Sequence, residues 1–142
     1  MTRRSLLAVL VLLAGCMAGY APRPGTPLAG VTFINSGYTP VSMYHEACGE
    51  PRPSTMLASL RRGQSQTRSV TANEPFTFTF YAPIGEDWSC GLGFLTFTPI
   101  PGERYEIEFT QTGSGPPASC SVALYRGERK VREPLSDCRA QP

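Results

Sequence analysis

"FTFTFY", residues 76–81, decides the fold. Phe76, Phe78 and Phe80 recur at every second position, with Thr77 and Thr79 between them. A strand sends successive side chains to opposite faces, whereas a helical period would scatter the three rings. The stretch is therefore a strand with phenylalanines inward and threonines outward. The same alternation returns in "RYEIEFTQ" (104–111), with Tyr105, Ile107 and Phe109 inward and Glu106, Glu108 and Thr110 outward. It returns again in "CSVALYR" (120–126).

Working outward, "GVTFIN" (30–35), "VSMYH" (41–45), "QTRSV" (66–70) and "CGLGFLTFT" (90–98) are further strands. Segments rich in Gly, Pro, Asn and Ser separate them. "STMLASL" (54–60) is extended or irregular; Ser54 or Thr55 could cap one helical turn, but the segment is short. "PIPGE" carries Pro101-Gly102, a turn pair with fixed φ followed by positive φ, so 90–98 and 104–111 are expected to form a hairpin. About seven short strands at this spacing predict an all-β domain, an antiparallel β-sandwich, with a small barrel as the alternative closure.

Upstream the text changes. Arg3 and Arg4 precede an apolar run, residues 6–13, too short to span a bilayer and suited to the core of a signal peptide. Leu13-Ala14-Gly15-Cys16 ends it and resembles the lipobox of bacterial lipoprotein precursors. The resemblance implies cleavage before Cys16, a diacylglycerol thioether on that cysteine, and a further acyl chain, such as palmitate, on the new amino group. Met17 stands where an aspartate tends to retain such proteins at the inner membrane, which implies the outer membrane, facing the periplasm. Residues 17–28, "MAGYAPRPGTPL", hold three prolines and no apolar period, as a flexible tether would. The expected organisation is a signal-peptide helix over 1–15, the lipidated cysteine and tether over 16–28, and the β-sandwich over 29–142.

Without Arg3 and Arg4 the thirteen Lys and Arg fall to eleven, equal to the eleven Asp and Glu. A neutral body gives no electrostatic footprint for nucleic acid. The late basic cluster, Arg126, Arg129, Lys130 and Arg132, is interrupted by Glu128 and Glu133 and suits a solvated edge. Cys48, Cys90, Cys120 and Cys138 make an even set, which in an exported chain implies two disulfides. Cys90 and Cys120 fall at the same end of the sheet. In a flat meander they would be two strand spacings apart, about 9–10 Å and too far to bond. A loop excursion, or a move of strand 120–126 to another sheet position, brings them together. The expected pairs are Cys90–Cys120 and Cys48–Cys138.

The rhythm running from "FTFTF" through "FTPIPGERYEIEF" to "CSVALY" resembles that of small proteobacterial lipoproteins of unknown function, with a transthyretin-like or immunoglobulin-like β-sandwich. That resemblance implies a fold and an envelope location and brings no catalytic residues with it.

The search for chemistry is short. His45 is the single histidine and lies three residues before Cys48. A Cys–His nucleophile fails if Cys48 is oxidised, and a locally hydrogen-bonded histidine at a strand end is the plainer reading. Glu106 and Glu108 share a strand face about 7 Å apart, near an inverting glycosidase pair, yet alternating glutamates mark any wet sheet face. Glu86 and Asp87 fall far short of a calcium cage, and no metal or cofactor is expected. Trp88 beside them is either packed over the Cys90 disulfide or an exposed ring for a glycan, small molecule or partner. The functional expectation is a non-enzymatic structural or protein-interaction role. The membrane is contacted through the lipid and another envelope protein is the partner; the alternative is a ligand-binding module using the Trp88, Glu86, Asp87 loop.

Overall fold

The phenylalanine face turns inward as its period requires: Phe76, Phe78 and Phe80 are buried in the computed structural model, which describes residues 19–48, 54–115 and 117–140. The expected signal peptide and Cys16 lie outside the described residues.

Ten strands form two five-stranded sheets packed face to face. In chain order they are β1 (Leu28–Asn35), β2 (Val41–His45), β3 (Thr55–Leu60), β4 (Ser65–Thr71), β5 (Phe76–Pro83), β6 (Ser89–Phe97), β7 (Arg104–Thr112), β8 (Ser119–Arg126), β9 (Val131–Glu133) and β10 (Ser136–Asp137). One sheet runs β4-β1-β7-β8-β9 and the other β10-β6-β5-β2-β3. Every pairing is antiparallel except β1 with β7, which is parallel. The core between the sheets is built from Val31, Phe33, Met43, Leu57, Phe78, Ile107, Phe109 and Leu124.

The sandwich is as expected; three details differ. Residues 55–60 are a true edge strand, and the tail adds β9 and β10. The hairpin between 90–98 and 104–111 does not form, because β6 and β7 lie in opposite sheets. Pro99 and Pro101 in the connection have no N–H to extend a ladder. The connection is instead tied to the β4–β5 turn and to the start of β1, with Asn73 N donating to Pro99 O at 2.9 Å and Gly102 N to Leu28 O at 2.8 Å. Phe97 and Tyr105, which a hairpin would have set side by side, meet across the core at 5.0 Å. The third difference is the tether. Tyr20 and Arg23 are bound to the body, so this part of the segment is docked on the sandwich, whose first strand starts at Leu28.

The two ends of the sandwich are closed differently. At one, where β1 and β7 begin and β2, β4 and β6 end, aromatic rings fill the mouth. Tyr20 meets His45 edge-on at 4.8 Å and Phe76 at 5.7 Å, His45 stacks on Phe76 at 5.2 Å, and Phe76 touches Phe97 at 5.9 Å. We call this the ring end. At the other, the buried Asn35 donates from Nδ2 to Thr39 O and Leu60 O and accepts from Gly37 N. Gln111, also buried, accepts from Thr39 N and Oγ1 and donates to Gly113 O. This is the amide end. Gly37 is needed there, since a Cβ would sit 2.6 Å from the Phe109 ring.

Candidate functional site

Both expected disulfides are present: Cys90–Cys120 and Cys48–Cys138, with Cα–Cα separations of 6.1 and 6.0 Å. The first works because β8 belongs to the sheet opposite β6, so the bond crosses the sandwich at the amide end rather than spanning two strands. The second needs a longer excursion. β2 and β10 are three strands apart, about 14 Å in a flat sheet. The chain therefore leaves the line of the strands between β2, β10 and the two cysteines. Thr77 and Thr96, which alternate with the inward residues of β5 and β6, are also buried. Thr77 Oγ1 donates to Thr96 Oγ1, and Thr96 Oγ1 to Phe76 O, so neither hydroxyl is stranded.

His45 sits at the inner end of β2 within a concavity of about 340 Å³, shared with Tyr20, Arg23, Glu46, Cys48 and Glu74. Its Nδ1 is 2.9 Å from Thr77 O; a carbonyl only accepts, so Nδ1 carries the proton of the neutral ring. Burial lowers the imidazole pKa below 6.5, opposed by the Thr77 carbonyl and by Glu74 and Glu46. A neutral imidazole is a serviceable base. The neighbouring sulfur is bonded to Cys138, and the nearby Ser54 Oγ donates to Glu46 Oε1 at 2.6 Å rather than to the ring. Arg23 and Glu74 pair at 2.9 Å on the rim. The expectation of a strand-end histidine bonded locally is met, and what the arrangement does is close the core.

A second concavity of about 340 Å³ opens between the sheets on the β9 and β10 side. Phe97, Tyr105 and Leu124 line it with Thr96 and Ser136, and Arg126 and Glu133 stand in its wall. Arg126 Nε donates to Glu133 Oε1 at 2.7 Å. The guanidinium is already matched, so an anionic ligand would have to displace a carboxylate.

The remaining expected residues are not brought together. Trp88 is 47% exposed, which overturns the reading of a ring packed over a disulfide. Glu86 and Asp87 beside it are exposed, and the three share the β5–β6 turn, where Ile84 N donates to Trp88 O. Neither concavity takes in Trp88. Glu106 is held by Lys130 Nζ at 2.8 Å, and Glu108 Oε1 accepts from Ser36 Oγ at 2.6 Å. A shallow depression of about 450 Å³ includes Glu106 without Glu108. Among the described residues no group of three His, Cys, Asp or Glu side chains could hold a metal.

Sequence reasoning missed Tyr20 and Asn35. Tyr20 had one signal, a lone aromatic in a proline-rich stretch that had no other reason to contain one. Asn35 had the Asn-Ser-Gly tripeptide that follows a strand, which marks an amide bonded to the turn it starts.

No protein-family model matches the chain, and no curated protein matches it. Among solved structures the chain is similar to one titled "Crystal Structure of Gram Negative Toxin", with 12% sequence identity and a TM-score of 0.41. That match covers 68% of this chain and 23% of the other, so this chain spans less than a quarter of that one's length.

Proposed function

We propose that this chain is a lipid-anchored protein of the bacterial cell envelope, held by Cys16 on the outer membrane and facing the periplasm. Its β-sandwich serves a non-enzymatic structural or protein-interaction role. The observation that supports it most is the use of the cysteines. The four that follow Leu13-Ala14-Gly15-Cys16 bond one another in two disulfides and leave Cys16 no partner in its own chain. Disulfides belong to oxidising, extracytoplasmic compartments. Several acyl chains on one residue hold a protein on a bilayer where a single chain would not, at about 0.8 kcal/mol per buried methylene. Exposed Tyr38, Tyr81 and Trp88 at the amide end are the aromatic anchors a protein contact would use.

Cys16→Ser tests the anchor. The variant is expected to accumulate as an unprocessed precursor without acyl label, and normal labelling ends the reading. For the contact role, a photo-crosslinking residue at Trp88 is expected to capture a defined envelope protein, whereas one at Ser69 on β4 captures none. Equal capture at the two positions removes the interaction face.

A further inference from the structure

An acylated Cys16 fixes where the chain meets the bilayer, and the orientation of the body, which rests on that proposed anchor, can be derived from it. Tyr20 is four residues beyond Cys16, and it is docked on the body: its ring is wedged against His45 and Phe76, its N–H donates to Met56 O, and its hydroxyl accepts from Thr71 N. Four residues reach at most about 14 Å. The acyl chains start at the hydrocarbon boundary, and the polar layer above it is about 5–8 Å thick. Little reach is left over. The ring end of the sandwich must sit against the lipid headgroups, and the amide end must point away.

The ring end carries the surface for such a contact. Leu28 is 44% exposed, Ile100 45% and Val131 53%. Leu28 and Ile100 belong to one platform, since Ala72 N donates to Pro27 O, Asn73 N to Pro99 O and Gly102 N to Leu28 O. Val131 lies across Glu103, with which it lines a shallow depression. The prolines of this platform expose no N–H, so no backbone donor is lost when they approach lipid. Three ion pairs stand around it, Arg23 with Glu74, Arg104 with Glu128 and Lys130 with Glu106, and Arg129 lines the depression beside Val131.

We infer that the face formed by Leu28, Ile100 and Val131 is a membrane-docking surface, seated in the headgroup layer of the leaflet that holds the Cys16 lipid. The domain thus stands on the bilayer with a fixed orientation, Trp88 outermost. The single native tryptophan makes this measurable. Mature acylated protein is reconstituted into phosphatidylethanolamine and phosphatidylglycerol vesicles whose acyl chains carry bromine. Trp88 reports the outer end in the native chain; the double variant Trp88→Phe with Ile100→Trp reports the docking face, and Trp88→Phe with Val131→Trp repeats the measurement should position 100 disturb folding. Bromine is expected to quench the tryptophan at 100 or 131 at least twofold more strongly than the one at 88. Equal quenching at both ends overturns the orientation. So does a residue 100 shielded from aqueous acrylamide but untouched by bromine, which would mean that protein covers the face. The mass of the mature chain separates the two claims. An acylated chain with an unquenched docking face sinks this inference alone, and a chain without acyl groups sinks the lipid anchor itself.

Discussion

The two ends of the sandwich solve the same problem with opposite chemistry. A β-sandwich has open mouths where the strands stop and the core would meet water. At the amide end the mouth is closed by the strand-end amides Asn35 and Gln111, bonded to the adjoining turns. Asn35 uses its main-chain N–H and C=O on Gln64 and Gly63, and its side chain on Thr39, Leu60 and Gly37. At the ring end the mouth is closed by stacked rings, and one of them, Tyr20, comes from outside the strands altogether. Polar closure is local and directional, so every donor lost is a buried group left bare. Ring closure is apolar and tolerant, so its loss is mainly a loss of burial. The amide end is thus fixed by the strands and turns of the sandwich, while the ring end is fixed partly by the segment that precedes β1.

The two disulfides differ in the span they close, and their removal is the largest expected effect. Cys48–Cys138 closes a separation of 90 residues and Cys90–Cys120 one of 30. On loop-closure entropy the first contributes about 4–5 kcal/mol and the second about 3–4 kcal/mol. Replacing each pair by alanines and measuring urea midpoints should show the Cys48, Cys138 variant as the less stable, by about 1 kcal/mol. The reverse order would mean that the bond across the sheets does more than shorten a loop.

Asn35→Ala comes next. It strands Gly37 N–H and the carbonyls of Thr39 and Leu60 in a buried site. The expected cost is about 3–4 kcal/mol, read as a drop in the urea midpoint with little change in slope. Tyr20→Ala should cost about 2 kcal/mol, less than deleting a fully buried ring, because this ring is only partly buried. Tyr20→Phe, which keeps the ring and loses only the acceptor for Thr71 N, should cost about 1 kcal/mol or less. If Tyr20→Phe cost as much as Tyr20→Ala, the two ends would be closed by the same kind of force.

The sequence was informative where side chains alternate and nearly silent where the chain turns. Phe76, Phe78, Phe80, Tyr105, Ile107 and Phe109 announced the inward faces, because period two has one structural meaning when one face is buried. The cysteine pairs were also legible, because Cys90 and Cys120 were expected at one end of the sheet, which left Cys48 and Cys138 for each other. What stayed hidden was the sheet each strand joins. "PIPGE" has the composition of a hairpin turn and serves as a crossing between sheets; the choice rests on Asn73 and Leu28, distant in sequence, which hold the connection. The closure of the mouths was hidden for the same reason. Nothing in "MAGYAPRPGTPL" says that its tyrosine will find His45 and Phe76 on β2 and β5. Trp88, for which local reasoning left open a ring packed on the disulfide or an exposed one, is 47% exposed.

The smallest expected effect is one of acidity, and it belongs to the ring end alone, because Asn35 and Gln111 do not titrate. His45 has its pKa lowered in the folded protein, mainly by burial. As pH falls below about 6.5 the unfolded chain binds the proton first. Protonation therefore favours unfolding: the contribution of neutral His45 is complete above about pH 6.5 and declines as pH falls toward the lowered folded-state pKa, below which it changes no further. Since this is the single histidine, His45→Gln should abolish this part of the acid decline. Urea midpoints at about pH 7.5 and about pH 5.5, on either side of the free imidazole pKa, measure it. Tyr20→Ala should weaken the same pH dependence without touching the histidine, because removing that ring lets water reach the imidazole and relieves the burial that lowers its pKa. A wild-type slope surviving both substitutions would show that the rings do not shield His45, and the distinction between the two ends would then rest on the amides alone.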